Sequence, residues 1–171
     1  MRKYLLCLLA AVVFITGCAY SSRSILPPYA KTICIPNLLN KTYQYGVEEE
    51  FTNYLIQAFI VDSRLVVGKK ENSQIELRGE ITQYALQPLS YDDEGVIKEY
   101  KIWMLTNLVV NDITTGKVLW RESNIEGSTT FVPEFSSLVG MGNAPKTEVE
   151  ARRVIYEDLS RIIVRRTIDG W

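Results

Sequence analysis

Two periods of hydrophobicity divide this chain. From Val47 the residues Val47, Phe51, Tyr54, Leu55, Ala58 and Phe59 recur at helical spacing, while Glu48, Glu49 and Glu50 fill a first turn, where the helix dipole favours negative charge. This predicts an amphipathic helix to about Val61, its glutamates read as a solvated turn rather than an acidic binding site. Ile75, Leu77, Gly79 and Ile81 then alternate with Glu76, Arg78, Glu80 and Thr82. A period of two marks a strand with one dry face, continuing through Tyr84. Glu99 to Val110 and Lys117 to Gly127 are β-rich and flank the polar turn Asn111 to Gly116, so the three strands form a meander. Helical spacing returns in Ala151, Val154, Ile155, Leu159, Ile162 and Ile163. The capping-box sequence Thr147-Glu148-Val149-Glu150 precedes them, with a hydroxyl and a carboxylate placed to satisfy the free amides of a helix start. Ahead of everything, Lys31 to Pro36 reads as a buried strand and residues 37–46 as turns.

The order is strand, helix, three-stranded meander, helix. It predicts an α+β fold, a two-layer sandwich with two helices packed on one face of a small, mainly antiparallel four-stranded sheet. That architecture implies no function by itself.

The N-terminus has another pattern. Met1-Arg2-Lys3 is a short positive start, and Tyr4 to Ile15 is an apolar run too short to cross a bilayer comfortably as a helix. It ends in Ile15-Thr16-Gly17-Cys18, which resembles the bacterial lipobox. Residues 1–17 are therefore expected to be a signal peptide cut between Gly17 and Cys18, with Cys18 carrying diacylglycerol and an N-acyl chain. An ordinary secreted protein or an N-terminal membrane helix would leave the placement of this cysteine unexplained. Residues 18–29 form a short tether ending in Pro27-Pro28, and 30–171 a single domain. Ala19 to Tyr29 spans at most about 40 Å when extended, so the domain sits close to its membrane.

Composition narrows the chemistry. The chain has no histidine, which removes Ser-His-Asp and Cys-His catalysis and most zinc sites. Cys7 leaves with the signal and Cys18 is acylated, so Cys34, within an apolar run, reads as a small buried hydrophobe. The formal charge is −1 and falls to −3 when Arg2 and Lys3 are removed, giving no field that calls for nucleic acid. Asp92-Asp93-Glu94-Gly95 lacks the spacing of a calcium loop and reads as a solvated hairpin tip. Gly116-Lys117 lacks the upstream glycine of a phosphate loop, and Gly140-Met141-Gly142 opens no dinucleotide-type helix. Phe135, Leu138, Val139 and Met141 lie in a loop that either folds over the core or meets an apolar partner. Arg161, Arg165 and Arg166 suit a helix C-terminus, where cations are commonplace, and a basic surface near lipid headgroups is the lesser alternative.

Several segments, taken in order behind the lipobox, resemble the lipopolysaccharide-assembly lipoprotein family LptE over nearly the whole mature chain. They are Ile33-Cys34-Ile35-Pro36 with Asn40-Lys41-Thr42-Tyr43, the helix bearing Glu49 and Phe51, and Leu77-Arg78-Gly79-Glu80-Ile81 with Tyr84. Pro88 with Tyr91, Tyr100, and Asp112-Ile113-Thr114-Thr115-Gly116-Lys117-Val118-Leu119-Trp120 complete the match. The resemblance implies an outer-membrane lipoprotein, not an enzyme, that plugs a β-barrel translocon of the LptD kind and helps deliver lipopolysaccharide to the cell surface. Ala19 after the cysteine fits outer-membrane sorting and a periplasmic-side location. No ligand-contacting residue carries over from the family.

From the alternation itself, if Ile75, Leu77 and Ile81 face the helices, Arg78 and Thr82 face away. Lys101 with Trp103, and Leu119 with Arg121, are the residues expected to join them. Cations beside apolar surface suit a phosphorylated glycolipid. The competing reading makes Arg78 a partner of Glu76 and Glu80 and puts Trp103 in the core. Two rival functions are a lipoprotein regulator of a peptidoglycan synthase, for which the tether is short, and a hydrolase built on carboxylates such as Glu48 and Asp92, which nothing in the sequence brings together.

Overall fold

The computed structural model describes residues 26–133 and 147–169. The signal peptide, Gly17, Cys18, most of the tether and the loop with Phe135, Leu138, Val139 and Met141 lie outside them. In chain order the elements are β1 (Thr32–Cys34), β2 (Leu39–Asn40), α1 (Val47–Asp62), β3 (Val66–Val67), a 3-10 turn (Lys70–Asn72), β4 (Ile75–Tyr91), β5 (Ile97–Asp112), β6 (Val118–Phe131) and α2 (Glu148–Asp169).

The α+β class and its two helices are as expected, but the sheet is not. It has six strands in the order β3-β1-β4-β5-β6, with β2 also beside β4. β1 runs parallel to β3 and β4, and β2 parallel to β4, while β4-β5-β6 is an antiparallel meander. The mixed character follows from α1, which returns the chain across the sheet so that β3 enters in the direction of β1. β2 and β3 are two-residue strands, too short for any periodicity to reveal.

β4 also outruns its expected end at Tyr84. It continues to Tyr91 through Pro88, which lies opposite Tyr100. Beyond Ile81 no described strand pairs the other side of β4. Proline, with no N–H to donate, is tolerated at such an edge. At the tip Asp92 accepts bonds from the amides of Glu94 and Val96, and Gly95 takes φ 82°. The acidic turn therefore satisfies its own backbone.

One face of the sheet is covered. Ile33, Ile75, Leu77, Ile81, Ile102, Met104 and Val110 pack against Phe51, Leu55 and Phe59 of α1 and Ile155, Leu159 and Ile163 of α2 in a single core. Phe51 stacks on Tyr156 at 5.5 Å between ring centres, joining the two helices. Where α2 crosses β6, a Cβ at Gly127 would stand 2.7 Å from Ile155 and Leu159. Only a glycine admits the helix that closely.

The helix starts are tied down more firmly than a solvated turn requires. Glu48 accepts a bond from Asn40 at 2.8 Å, and Glu50 lies 3.3 Å from Arg152. Arg152 also bonds Glu148 at 3.1 Å, which in turn accepts from the Tyr84 hydroxyl at 2.5 Å. Burial, and then this bond, push the Tyr84 phenol well above its ordinary pKa. The Thr147 hydroxyl caps α2 by accepting from the Glu150 amide at 3.2 Å.

Candidate functional site

The opposite face of β4-β5-β6 is covered by no described element. Strand register fixes its membership. On β5, Ile102, Met104, Thr106, Leu108 and Val110 are buried on the helix side, so Lys101, Trp103, Leu105, Asn107 and Val109 point the other way. Arg78 pairs across from Val109, and Val109 from Arg121. The four predicted residues Arg78, Lys101, Trp103 and Arg121 thus share one face.

They do not form one cluster. Arg78 and Arg121 flank Val109 in a shallow recess of about 320 Å³ that Leu39 and Glu80 also line. Lys101 and Trp103 lie further along β5, roughly 20–27 Å from Val109 at the rise of a strand. Between them runs the apolar line Trp103, Leu105 and Val109. Trp103 is half-buried between Ala85 and Ser128, its small cross-strand neighbours, and is not part of the hydrophobic core. Trp120 does pack against that core, and so does Leu119, which was expected on the open face. The register shift between Val110 and Asn111 opposite β6 breaks the simple alternation there.

The cations differ in how free they are. Glu76 is buried and holds both Lys70, at 3.0 Å, and Arg78, at 2.6 Å. Burial opposes its charge, but the bonds from Lys70 and Arg78 prevail and keep its carboxyl below the ordinary range. The ion-pair reading of Arg78 therefore holds for Glu76. Glu80 instead pairs with Lys41 at 2.6 Å and accepts from Asn107 at 2.9 Å, and these bonds lower its pKa. Lys101 approaches Glu126 at 3.5 Å. Arg121 is exposed and has no carboxylate within 4 Å among the described residues. The arrangement is a flat surface with one free guanidinium, two partly engaged cations and an apolar midline. It suits a broad amphiphilic partner better than a small substrate.

Of the carboxylates considered for catalysis, Glu48 bonds Asn40 at the start of α1 and Asp92 caps the β4–β5 turn. Cys34 is buried and unpaired, and burial raises its thiol pKa. Leu105, Asn107 and Leu39 were not foreseen. β5 is apolar on both faces in sequence, so its parity does not say which residues face out.

No protein-family model matches this chain, and no curated protein matches it. Solved structures do. A hypothetical protein from Chlamydia trachomatis superposes with a TM-score of 0.57 at 12% identity, covering 83% of this chain and 97% of that one. A minor lipoprotein from Acinetobacter baumannii gives 0.52 at 13% identity, covering 84% and 94%. An uncharacterized lipoprotein B from Nitrosomonas europaea gives 0.51 at 14%, covering 82% and 83%. The chain has a fold that bacterial lipoproteins share. At such identities the likeness is one of fold, and none of these names mentions lipopolysaccharide. The fold is thus one found in bacterial lipoproteins, and these similarities do not reach a specific transport family.

Proposed function

We propose that this chain is a lipoprotein, anchored through lipid on Cys18 to the periplasmic side of the outer membrane. There it partners a β-barrel translocon of the LptD kind and assists lipopolysaccharide assembly. It acts by binding, without catalysis. The observation that carries this reading is the uncovered face of β4-β5-β6, where Arg78, Arg121 and Lys101 border the line Trp103, Leu105, Val109. Guanidinium groups bond phosphates in bidentate fashion, and the apolar midline accommodates acyl chains or a barrel wall. The lipobox, the short tether and the lipoprotein-type fold fit the same reading. A regulator of a peptidoglycan synthase has no comparable feature in its favour.

The test is retrieval of the tagged, lipidated protein from detergent-solubilised outer membranes, followed by mass spectrometry of what accompanies it. A large β-barrel in near-equal amount supports the proposal. A peptidoglycan synthase, or no partner, overturns it.

A further inference from the structure

Register and hydrogen bonds bring a set of exposed residues to one end of the domain. The described chain begins at Leu26, and the Tyr29 hydroxyl donates to Asp112 at the end of β5. The Val66 amide bonds the Lys31 carbonyl at 2.9 Å, so β3 and the entry of the chain lie together. Asp112 closes the β5–β6 turn by donating its amide to Lys117 at 2.8 Å. Arg64, just past α1, bonds Asp169 at the end of α2 at 2.6 Å. The chain entry, both helix C-termini and this turn therefore form one pole.

That pole is amphipathic. Val61 is 82% exposed and Val66 63%, and Tyr29, Ile60 and Val118 are exposed beside them. Between α1 and α2 a groove of about 470 Å³ is lined by Val61, Val164 and Arg165 and by the carboxylates Asp62, Glu157 and Asp169, of which Asp62 and Asp169 are held by Arg64. Lys31 beside β3, Lys117 in the β5–β6 turn and Arg165 on the groove have no carboxylate within 4 Å among the described residues. Exposed aliphatic side chains with three unpaired cations among them, and acids that are mostly held by Arg64, match an anionic lipid surface. The path of the chain adds a constraint, because Cys18 precedes Leu26 by eight residues, a reach of at most about 28 Å.

We propose that this pole is the face on which the domain rests against an anionic phospholipid surface. The inference rests on the lipid-anchor half of the reading above and is independent of the barrel partner, which would take the uncovered sheet face. It fixes the orientation of the molecule. The start of α1, with the exposed Tyr43 beside it, points away from the lipid, since the 16-residue helix separates the two ends by about 24 Å.

The test uses the mature chain, lipidated or as Cys18→Ser, with a fluorophore at Val61→Cys, Val118→Cys or Tyr43→Cys and buried Cys34 left unreacted. Vesicles of phosphatidylcholine with phosphatidylglycerol carry a lipid-borne quencher. Quenching at positions 61 and 118 but not at 43 is expected, in both forms. Replacing Lys31, Lys117 and Arg165 by Gln should weaken partition of the Cys18→Ser protein about fivefold per cation, with its thermal unfolding unchanged. No quenching at 61 and 118, or equal quenching at 43, would overturn the orientation, as would partition indifferent to phosphatidylglycerol. The mass of the N-terminal peptide reports acylation of Cys18 separately, so failure of the anchor and failure of this face are read apart.

Discussion

The two faces of strand β5 belong to the same sixteen residues and behave as different materials. On one side Ile102, Met104, Leu108 and Val110 are sealed under two helices. On the other Lys101, Trp103, Leu105 and Val109 meet no described layer. The helix face is specified by packing, where each methylene has a neighbour and substitutions are felt. The open face keeps large apolar side chains that folding does not require to be there. A sheet surface with that content is what a binding partner would cover.

This contrast can be broken most forcefully on the covered side. Leu77→Ala, in a fully buried position, should cost about 3 kcal/mol in denaturant unfolding. Gly127→Val drives a side chain into Ile155 and Leu159 and should cost about 2 kcal/mol by overpacking; a neutral result would mean that α2 does not lie as closely on β6 as described.

Charge provides an intermediate case. Glu76 and Glu80 are held below their ordinary values. Asp112 is pulled to about 2, chiefly by bonds from Tyr29 and Thr115. Groups with lowered folded pKa contribute stability that is complete above their unfolded values, near 4, and is lost as pH falls through the folded ones. Stability should therefore fall between about pH 4.5 and 2. Glu76→Gln should cost about 1 kcal/mol at neutral pH, because exposed Lys70 and Arg78 can turn to water, and should flatten the acid slope.

The smallest stability effect is expected on the open face. Arg121→Ala should change unfolding by no more than about 0.5 kcal/mol, yet it should reduce retention of lipopolysaccharide by the purified complex. A large loss of stability with unchanged retention would make Arg121 a structural residue.

How far the sequence spoke depends on the length of each element. Both helices and the meander follow from periodicity, because elements of a dozen residues or more average out local exceptions, whereas the shared face of Arg78, Lys101, Trp103 and Arg121 is fixed by strand register. β2 and β3 are two residues each, and their parallel pairing is a tertiary fact that no local pattern carries. β4 runs on past Tyr84 and through Pro88 because that edge is free and does not need the N–H that proline lacks. Leu119 was misplaced by a register shift, which reverses alternation without any mark in composition. Arg78 as a partner of Glu76 is one of two readings open in the sequence, but Lys70 joins that carboxylate only once β4 meets the 3-10 turn.

The most direct test of the central claim is a photocrosslinker placed in turn at Leu105 on the open face and at Glu157, exposed on α2 on the other side of the sheet, in cells making the lipidated protein. The account predicts crosslinks from position 105 to a β-barrel protein or to lipopolysaccharide and none from position 157; equal crosslinking from both, or none from 105, would contradict it.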